Sequence, residues 1–426
     1  MEIGVLVFVI SLIIGVPIAF CLGLSALISL MFMKNIPLVV IAQKMFTGID
    51  VFPFMAVPFF ILAGDLMNRS GITKRLVNFS DILVGHIKGG LANINIISSM
   101  FFAGITGSAV ADASAIGAMM IPAMEEKGFD IDFSAAVTAS ASVIGPIIPP
   151  SIPMVIFALL SGSSVGALFL AGVFPGILLA IFLMIVSYVY SSKRNYPRRV
   201  EKVQIKEVFI ICLNAIIPLI MPLIILGGIL LGVFTATEAS AVAVVYSLII
   251  GFLVYRNLKL TDLKEIFIST AKTTGMVFLV IACANMFNWL ISIERIPQLV
   301  EAFFIAYIGN HYLFLLVMNI MFLILGCFME GTAAMIITVP IFLPIAEAYG
   351  INPIMFGAIV VLNLMIGLIT PPVGLCLYVA CGISNISLER ISKAVIPFLI
   401  VEIIVLLIVT YCPPVTLWLP KIAGYL

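Results

Sequence analysis

Apolar stretches near the length of a membrane span follow one another along almost all of the 426 residues. A spanning helix needs about 20 mostly apolar residues. Uninterrupted candidates fall at roughly 3–33, 53–69, 164–192, 208–231, 236–256, 275–292 and 395–419. Two longer stretches, 131–160 and 351–383, contain Gly and Pro, which predict broken helices. Two more, 89–127 and 311–348, are apolar with a polar patch at mid-length. The leg 115–127 would make a helix of about 20 Å, short of the roughly 30 Å hydrocarbon core. Both stretches are therefore predicted to be re-entrant hairpins. Amphipathic pieces near 36–49, 72–86, 260–272 and 294–308 suit helices lying in the interface.

Composition agrees with the pattern. Apolar residues make up 63% and charged residues 10% of the chain, and mean hydropathy is +1.30. A soluble domain carries about 25% charged residues, so the chain is an all-α polytopic membrane protein. The net charge of +1 argues against nucleic acid as a partner. Seven cysteines lie mostly in apolar runs without metal-ligand spacing, and read as small buried hydrophobes. The first 33 residues lack a basic start and a small-residue cleavage site. They are predicted to form a first spanning helix instead of a removed signal peptide.

An internal repeat organises the stretches. A shift of 222 places ASASVIGPIIPPSIPMVIFA (139–158) on VLNLMIGLITPPVGLCLYVA (361–380) without a gap. Gly145 falls on Gly367, and Pro149-Pro150 falls on Pro371-Pro372. The same shift pairs Gly104 with Gly326, Pro122 with Pro344, Gly128 with Gly350 and Pro175 with Pro397. Chance matches in so apolar a chain would fall on Leu, Ile and Val, not on Pro and Gly at one offset.

The rare charges supply topology. The linker SSKRNYPRRVEKVQIK (191–206) is the strongest basic cluster and is taken as cytoplasmic. Threading nine crossings from it puts 17 of the 21 Lys and Arg inside, with Lys34, Lys44, Arg295 and Lys421 outside. The N-terminus is then cytoplasmic and the C-terminus periplasmic. Trp289 and Trp418 fall at outer helix ends. Residues 1–207 form a first repeat, 208–235 a linking helix, and 236–426 a second repeat. The odd number of crossings makes the halves an inverted pair, with one hairpin opening to each side. That is the architecture of a secondary transporter, which binds near the bilayer midplane.

Non-helical backbone at membrane depth must be buried or line a wet cavity. Two pairs of such places are predicted. The hairpin tips are Gly104 to Ser108 with Asp112, and Glu330-Gly331-Thr332. The helix breaks hold Ser140, Ser142, Gly145, Pro149, Pro150 and Ser151 in the first half, and Asn363, Gly367, Thr370, Pro371 and Pro372 in the second. Pro pairs free carbonyls of the preceding turn, and those oxygens with Ser and Thr hydroxyls suit Na⁺. Helix N-termini suit a carboxylate substrate. Asp112 and Glu330 are the deepest acids, and an intramembrane carboxylate is functional by default. Ser108, Asp112, Ser140, Ser142, Pro149, Ser151, Asn363 and Pro371 are the expected substrate-binding residues. Enzyme chemistry is disfavoured: His86 and His311 fall at opposite interfaces, and no Walker A sequence exists.

The stretch GITGSAVADASAIGAMMIPAMEEKGF, the following ASASVIGPIIPPSIPMVIF, and CFMEGTAAMIITVPIFLPIAEAYG in the second half resemble the large membrane subunit of tripartite ATP-independent periplasmic (TRAP) transporters. The resemblance covers essentially the whole chain and is strongest to sialic-acid permeases. It implies a separate small four-helix membrane subunit, a periplasmic substrate-binding protein, and Na⁺-driven import of an organic acid such as sialic acid or a four-carbon dicarboxylate. It implies an elevator-type architecture in the bacterial inner membrane. Carried onto this chain, it implies Na⁺ ligands at Gly104, Thr106, Ser108, Ser140 and Gly145, and at Gly326, Glu330, Gly331, Thr332, Gly367 and Thr370. Glu238 and Glu402, on plain helices, read as packing or small-subunit contacts. The alternative is a stand-alone Na⁺/dicarboxylate symporter of related fold.

Overall fold

A computed structural model describes residues 2–33, 36–199 and 204–426. Lys34 and Lys202, counted above on the outer and inner sides, lie outside the described residues. Every regular element among the described residues is helical. The helices are α1 (Glu2–Ile13), α2 (Ile18–Phe32), α3 (Val39–Ile49), α4 (Ala56–Arg69), α5 (Ile72–Val84), α6 (Gly90–Thr106), α7 (Ala109–Glu126), α8 (Ile131–Ser142), α9 (Ile152–Ser161) and α10 (Val165–Lys193). The second half holds α11 (Ile205–Leu230), α12 (Ala236–Ile249), α13 (Leu260–Ile293), α14 (Ile296–Tyr307), α15 (His311–Phe328), α16 (Gly331–Ala348), α17 (Pro353–Gly367), α18 (Leu375–Ser384), α19 (Leu388–Tyr411) and α20 (Pro413–Ile422). Among the described residues seven helices are long and apolar enough to cross a membrane, or eight if the bent pair α3 and α4 forms one span.

The repeat recurs in the helix boundaries. α7 and α16 are offset by 222 at both ends, and α8, α9 and α10 have mates in α17, α18 and α19. Cap chemistry repeats too. Ser108 and Glu330 stand at matched N-caps, and each side chain accepts from the backbone N–H three residues on, at Ala111 and Ala333. Pro149-Pro150 and Pro371-Pro372 are both cis.

Three expectations change. The stretch 3–33 is not one span. It turns back at Gly15, whose φ of +86° favours glycine, and Pro17 then starts α2. The Ser25 hydroxyl reaches the Gly4 carbonyl at 2.5 Å, so α1 lies antiparallel against α2. The N-terminus therefore shares an end with residue 33, where a single span would have put them at opposite ends. No Lys or Arg precedes residue 34, so the charge count is untouched. α11 and α12 form the matching hairpin, closed by the Tyr246 hydroxyl on the Ile217 carbonyl at 2.6 Å. Helix α11 thus packs on α12 as α1 packs on α2.

Next, 260–272 and 275–292 are one helix, α13, about 51 Å long at 1.5 Å per residue. Its mate in the first half, α3 plus α4, bends by 63°. The bend sits at Asp50–Met55, where Pro53 disfavours continuation. Finally, the second leg of the first hairpin is 18 residues, since Ser108 starts it. Its length no longer argues for re-entry.

The polar linker is anchored at its start. Arg194 pairs with Asp130 at 2.6 Å, the Tyr196 hydroxyl donates to the same carboxylate at 2.6 Å, and Arg199 pairs with Asp81. These ties hold the linker on the bases of α5, α7 and α8. At the far end of α10, Trp418 lies 5.2 Å from Phe174, ring to ring, and Tyr425 sits beside Gly166. The C-terminus therefore lies at the end of α10 remote from the basic cluster.

Candidate functional site

Each hairpin tip lies on the broken helix of its own half. In the first half, a Cβ on Gly104 would stand 3.3 Å from the Pro149 carbonyl oxygen, and one on Gly107 would stand 2.8 Å from that of Pro150. Gly107 also has φ +60°, which L side chains rarely adopt. Gly145 reaches back toward the Ser108 carbonyl, 3.6 Å from its own Cβ position. In the second half the backbones nearly touch. A Cβ on Gly367 would lie 2.5 Å from the Gly326 Cα, and one on Gly326 would lie 3.0 Å from the Leu364 carbonyl. The Gly374 N–H closes this contact on the Cys327 carbonyl at 3.3 Å. Glycine at these places lets main-chain oxygens approach closely, which is what a hard cation requires.

The structure thus brings Gly104 and Ser108 to Gly145, Pro149 and Ser151, and Gly326 and Gly331 to the Leu364–Gly367 turn. Ser140 and Thr106 are buried with hydroxyls that have no partner. Both carboxyl oxygens of Asp112, one turn into α7, are buried without a partner. Thr332 is buried at the start of α16. Thr370, half-buried, donates to the Ile366 carbonyl at 2.8 Å. Pro371 is half-buried.

Other expected residues are already engaged. Ser151 caps α9, accepting from Met154 N–H at 3.2 Å and donating to the Pro146 carbonyl. Ser142 donates to the Ala139 carbonyl at 2.7 Å. Asn363 donates to Asn319 at 2.8 Å, and Asn319 to Thr410 at 2.9 Å, a buried relay that the sequence did not reveal. Glu330 is exposed, and its carboxylate caps α16 through Ala333 N–H at 3.0 Å.

The two tips differ in their surroundings. The first is covered: Gly64 of α4 packs on Thr106, and Pro222 of α11 packs on Gly104. The second is open: Phe328, the counterpart of Thr106, is 60% exposed, and Pro372 is exposed where Pro150 is buried. Gly64 and Pro222 escaped the sequence reading because they lie on plain apolar helices. The halves also interlock. Helix α7 packs on α18, with Gly117 against Ile383, and α16 packs on α9.

Two acids read above as packing or partner contacts are now placed. Glu238 closes a capping box with Thr235 at the start of α12, legible in the spacing T-x-x-E. Glu402 is fully buried among the helices, so it offers no surface to a small subunit.

Comparison with known proteins carries the assignment. The family described as tripartite ATP-independent periplasmic transporter, DctM component, matches residues 5–415. The chain is 42% identical to the sialic acid TRAP transporter large permease protein of Vibrio cholerae, over 96% of each chain. It is 38% identical to the C4-dicarboxylate TRAP transporter large permease protein of Rhodobacter capsulatus, again over 96% of each. In fold it is similar to the YdaH transporter of Alcanivorax borkumensis, with a TM-score of 0.63 at 13% identity, covering 97% of this chain and 99% of that one. These relatives are permease subunits and not enzymes, and with the interlocked apolar helices they make this multi-pass membrane chain a member of the TRAP transporter large permease family.

Proposed function

We propose that the chain is the translocating subunit of a Na⁺-coupled importer of an organic acid in the bacterial inner membrane, acting by an elevator movement. The observation that carries this reading is the pair of tip-on-break contacts, where glycines bring main-chain oxygens to buried hydroxyls at matched places in two repeats. Na⁺ is a co-transported cargo here. Gly104, Thr106, Ser108, Ser140 and Gly145 would hold one ion, and Gly326, Gly331, Thr332, Gly367 and Thr370, with Glu330 at the rim, a second. The unpartnered Thr106 and Ser140 hydroxyls fit a cation ligand set. No Lys or Arg stands at either tip or break, so a carboxylate cargo would meet helix N-termini and hydroxyls.

The halves are read as an inverted pair, with the hairpins re-entrant because their tips meet mid-helix breaks. With α1 folded on α2, the inverted pair starts at α1 and at α11. Both termini then lie on the periplasmic side. Helices α6–α10 and α15–α19 would move against a scaffold of α1–α5 and α11–α14. A small four-helix subunit and a periplasmic binding protein would complete the transporter. The names of the two permease relatives favour sialic acid or a four-carbon dicarboxylate as cargo.

The test is uptake in proteoliposomes holding both membrane subunits, with binding protein outside and an imposed Na⁺ gradient. Uptake should require all three components, and T106A, S108A and T332A should each weaken Na⁺ activation. Uptake by the large subunit without a binding protein would overturn the tripartite part. Unchanged Na⁺ activation in all three variants would overturn the ion sites.

A further inference from the structure

Glycine lets each tip approach its break, and it also leaves those contacts without side chains that interlock. A binding site works only within about 0.5 Å of its geometry. Sliding one helix past its neighbour by a single residue moves its oxygens by about 1.5 Å. Apolar packing is non-directional, whereas a hydrogen bond fixes both distance and angle. A directional contact close to the site therefore sets the register of hairpin on break most sharply. Among the described residues, three hydrogen bonds join nitrogen and oxygen atoms of two buried side chains on different helices. All three involve the first leg of a hairpin.

In the first half the Asn95 amide on α6 donates to the Thr138 hydroxyl on α8 at 2.6 Å, and Thr138 donates to the Ser134 carbonyl at 2.8 Å. In the second half the Asn363 amide on α17 donates to the Asn319 side-chain oxygen on α15 at 2.8 Å. The Asn319 amide then donates to the Thr410 hydroxyl on α19 at 2.9 Å. Each half thus ties the first leg of its hairpin to the first leg of its own broken helix. From the tie, both helices run side by side to the tip-on-break contact. Asn95 stands nine residues before Gly104, and Thr138 seven before Gly145. Asn319 stands seven residues before Gly326, and Asn363 four before Gly367. At 1.5 Å per residue the ties lie about 6–14 Å behind the contacts. The tying residues do not correspond under the repeat. At the offset of 222, Asn95 and Thr138 fall on Val317 and Val360, and Asn319 and Asn363 fall on Ile97 and Ala141. Corresponding helices are tied through different positions, so the halves share the tie and not a repeated residue.

We propose that Asn95 with Thr138, and Asn319 with Asn363, are positioning residues, each pair holding the ion site of its own half in register. They touch no ion. They fix where the carbonyls of the break stand relative to the tip, and so set the Na⁺ concentration at which each site fills. The proposal rests on the reading of the two contacts as Na⁺ sites.

A Na⁺ titration of uptake by the complete transporter in proteoliposomes tests the proposal. N95L, T138V and N319L should each need about 3–20-fold more Na⁺ for half-maximal uptake, the range expected for one lost interhelical hydrogen bond in a membrane protein. The maximal rate at saturating Na⁺ should stay near native. N95L/T138V should match its single variants, because both remove the same bond. T138S keeps the hydroxyl and should behave as native. If N95L fails to fold, T138V against T138S carries the first half, since valine matches threonine in shape. An unchanged half-activating Na⁺ concentration in T138V and N319L would overturn the proposal. So would a T138S variant as impaired as T138V, or a loss confined to the maximal rate, which is what a merely structural tie would give. Na⁺-independent uptake by the native transporter is a separate outcome, which would overturn the ion sites and this proposal with them.

Discussion

Where Gly326 meets Gly367, no side chain separates two helices. A methyl group on Gly367 would stand 2.5 Å from the opposing Cα, closer than real Cβ atoms approach, and what it meets is backbone that cannot swing aside. G367A should therefore push the second tip off its break. Overpacking of this kind costs about 1–3 kcal/mol. The expected outcome is a lowered unfolding temperature in detergent together with weakened Na⁺ activation of uptake. G227A is the control: it sits on α11 with nothing within 4 Å and should change neither. Residues of this sort were partly legible. The Gly and Pro pairs stood out because the repeat fixed them at one offset, and the tips stood out because polar residues are rare in apolar runs. Which hydroxyls are free was not legible, because Ser151 and Ser142 look like Ser140 in sequence but spend their hydroxyls on local carbonyls. Burial and geometry decide that, not residue type.

At the scale of elements, the base of the first hairpin is held by a small ionic knot. The Tyr196 hydroxyl, and then Arg194, hold the Asp130 carboxyl below its usual pKa. A depressed carboxyl contributes stability above its unfolded pKa, about 3.9, and loses it as pH falls through the lowered folded value. The stability difference between the native chain and D130N should then be constant from neutral pH to about pH 4, and vanish below it. Thermal unfolding of the detergent-solubilised protein over that range checks the window. A difference that grew on acidification would contradict the knot. Element existence was readable from hydropathy alone, and both broken helices, and the helix pairs α6–α7 and α15–α16, came out where the Gly, Pro and polar breaks stood. Two errors share one cause: composition does not report direction. The apolar run 3–33 holds a reversal at Gly15 that a hydropathy window averages away, and the polar gap near 273 lies inside one continuous helix.

For the whole molecule, the interlock of halves predicts which parts move together. α7 and α18 come from different repeats yet pack as one body, and a Cβ on Gly117 would stand 3.1 Å from the Ile383 side chain. α13 and α16 meet across the proposed sliding surface, where the Asn288 amide donates to the Ile336 carbonyl at 3.2 Å. In a background with the seven native cysteines replaced, an oxidised G117C/I383C pair should leave uptake near its reduced rate. An oxidised N288C/I336C pair should abolish uptake, and reductant should restore it. Inhibition by the first cross-link and none by the second would reverse the assignment of moving and fixed helices.

The exchange of surfaces between halves also bears on how the chain is made. When α7 enters the membrane, the helix it will pack on has not been synthesised. Some 266 residues separate Gly117 from Ile383. At about 5–20 residues per second that is a delay of tens of seconds. Through that interval the nascent chain holds Asp112 and its polar neighbours on a helix whose covering partner is still missing. A ribosome stalled before α17 would leave a product that no rearrangement can complete, and membrane quality control has that interval in which to recognise it.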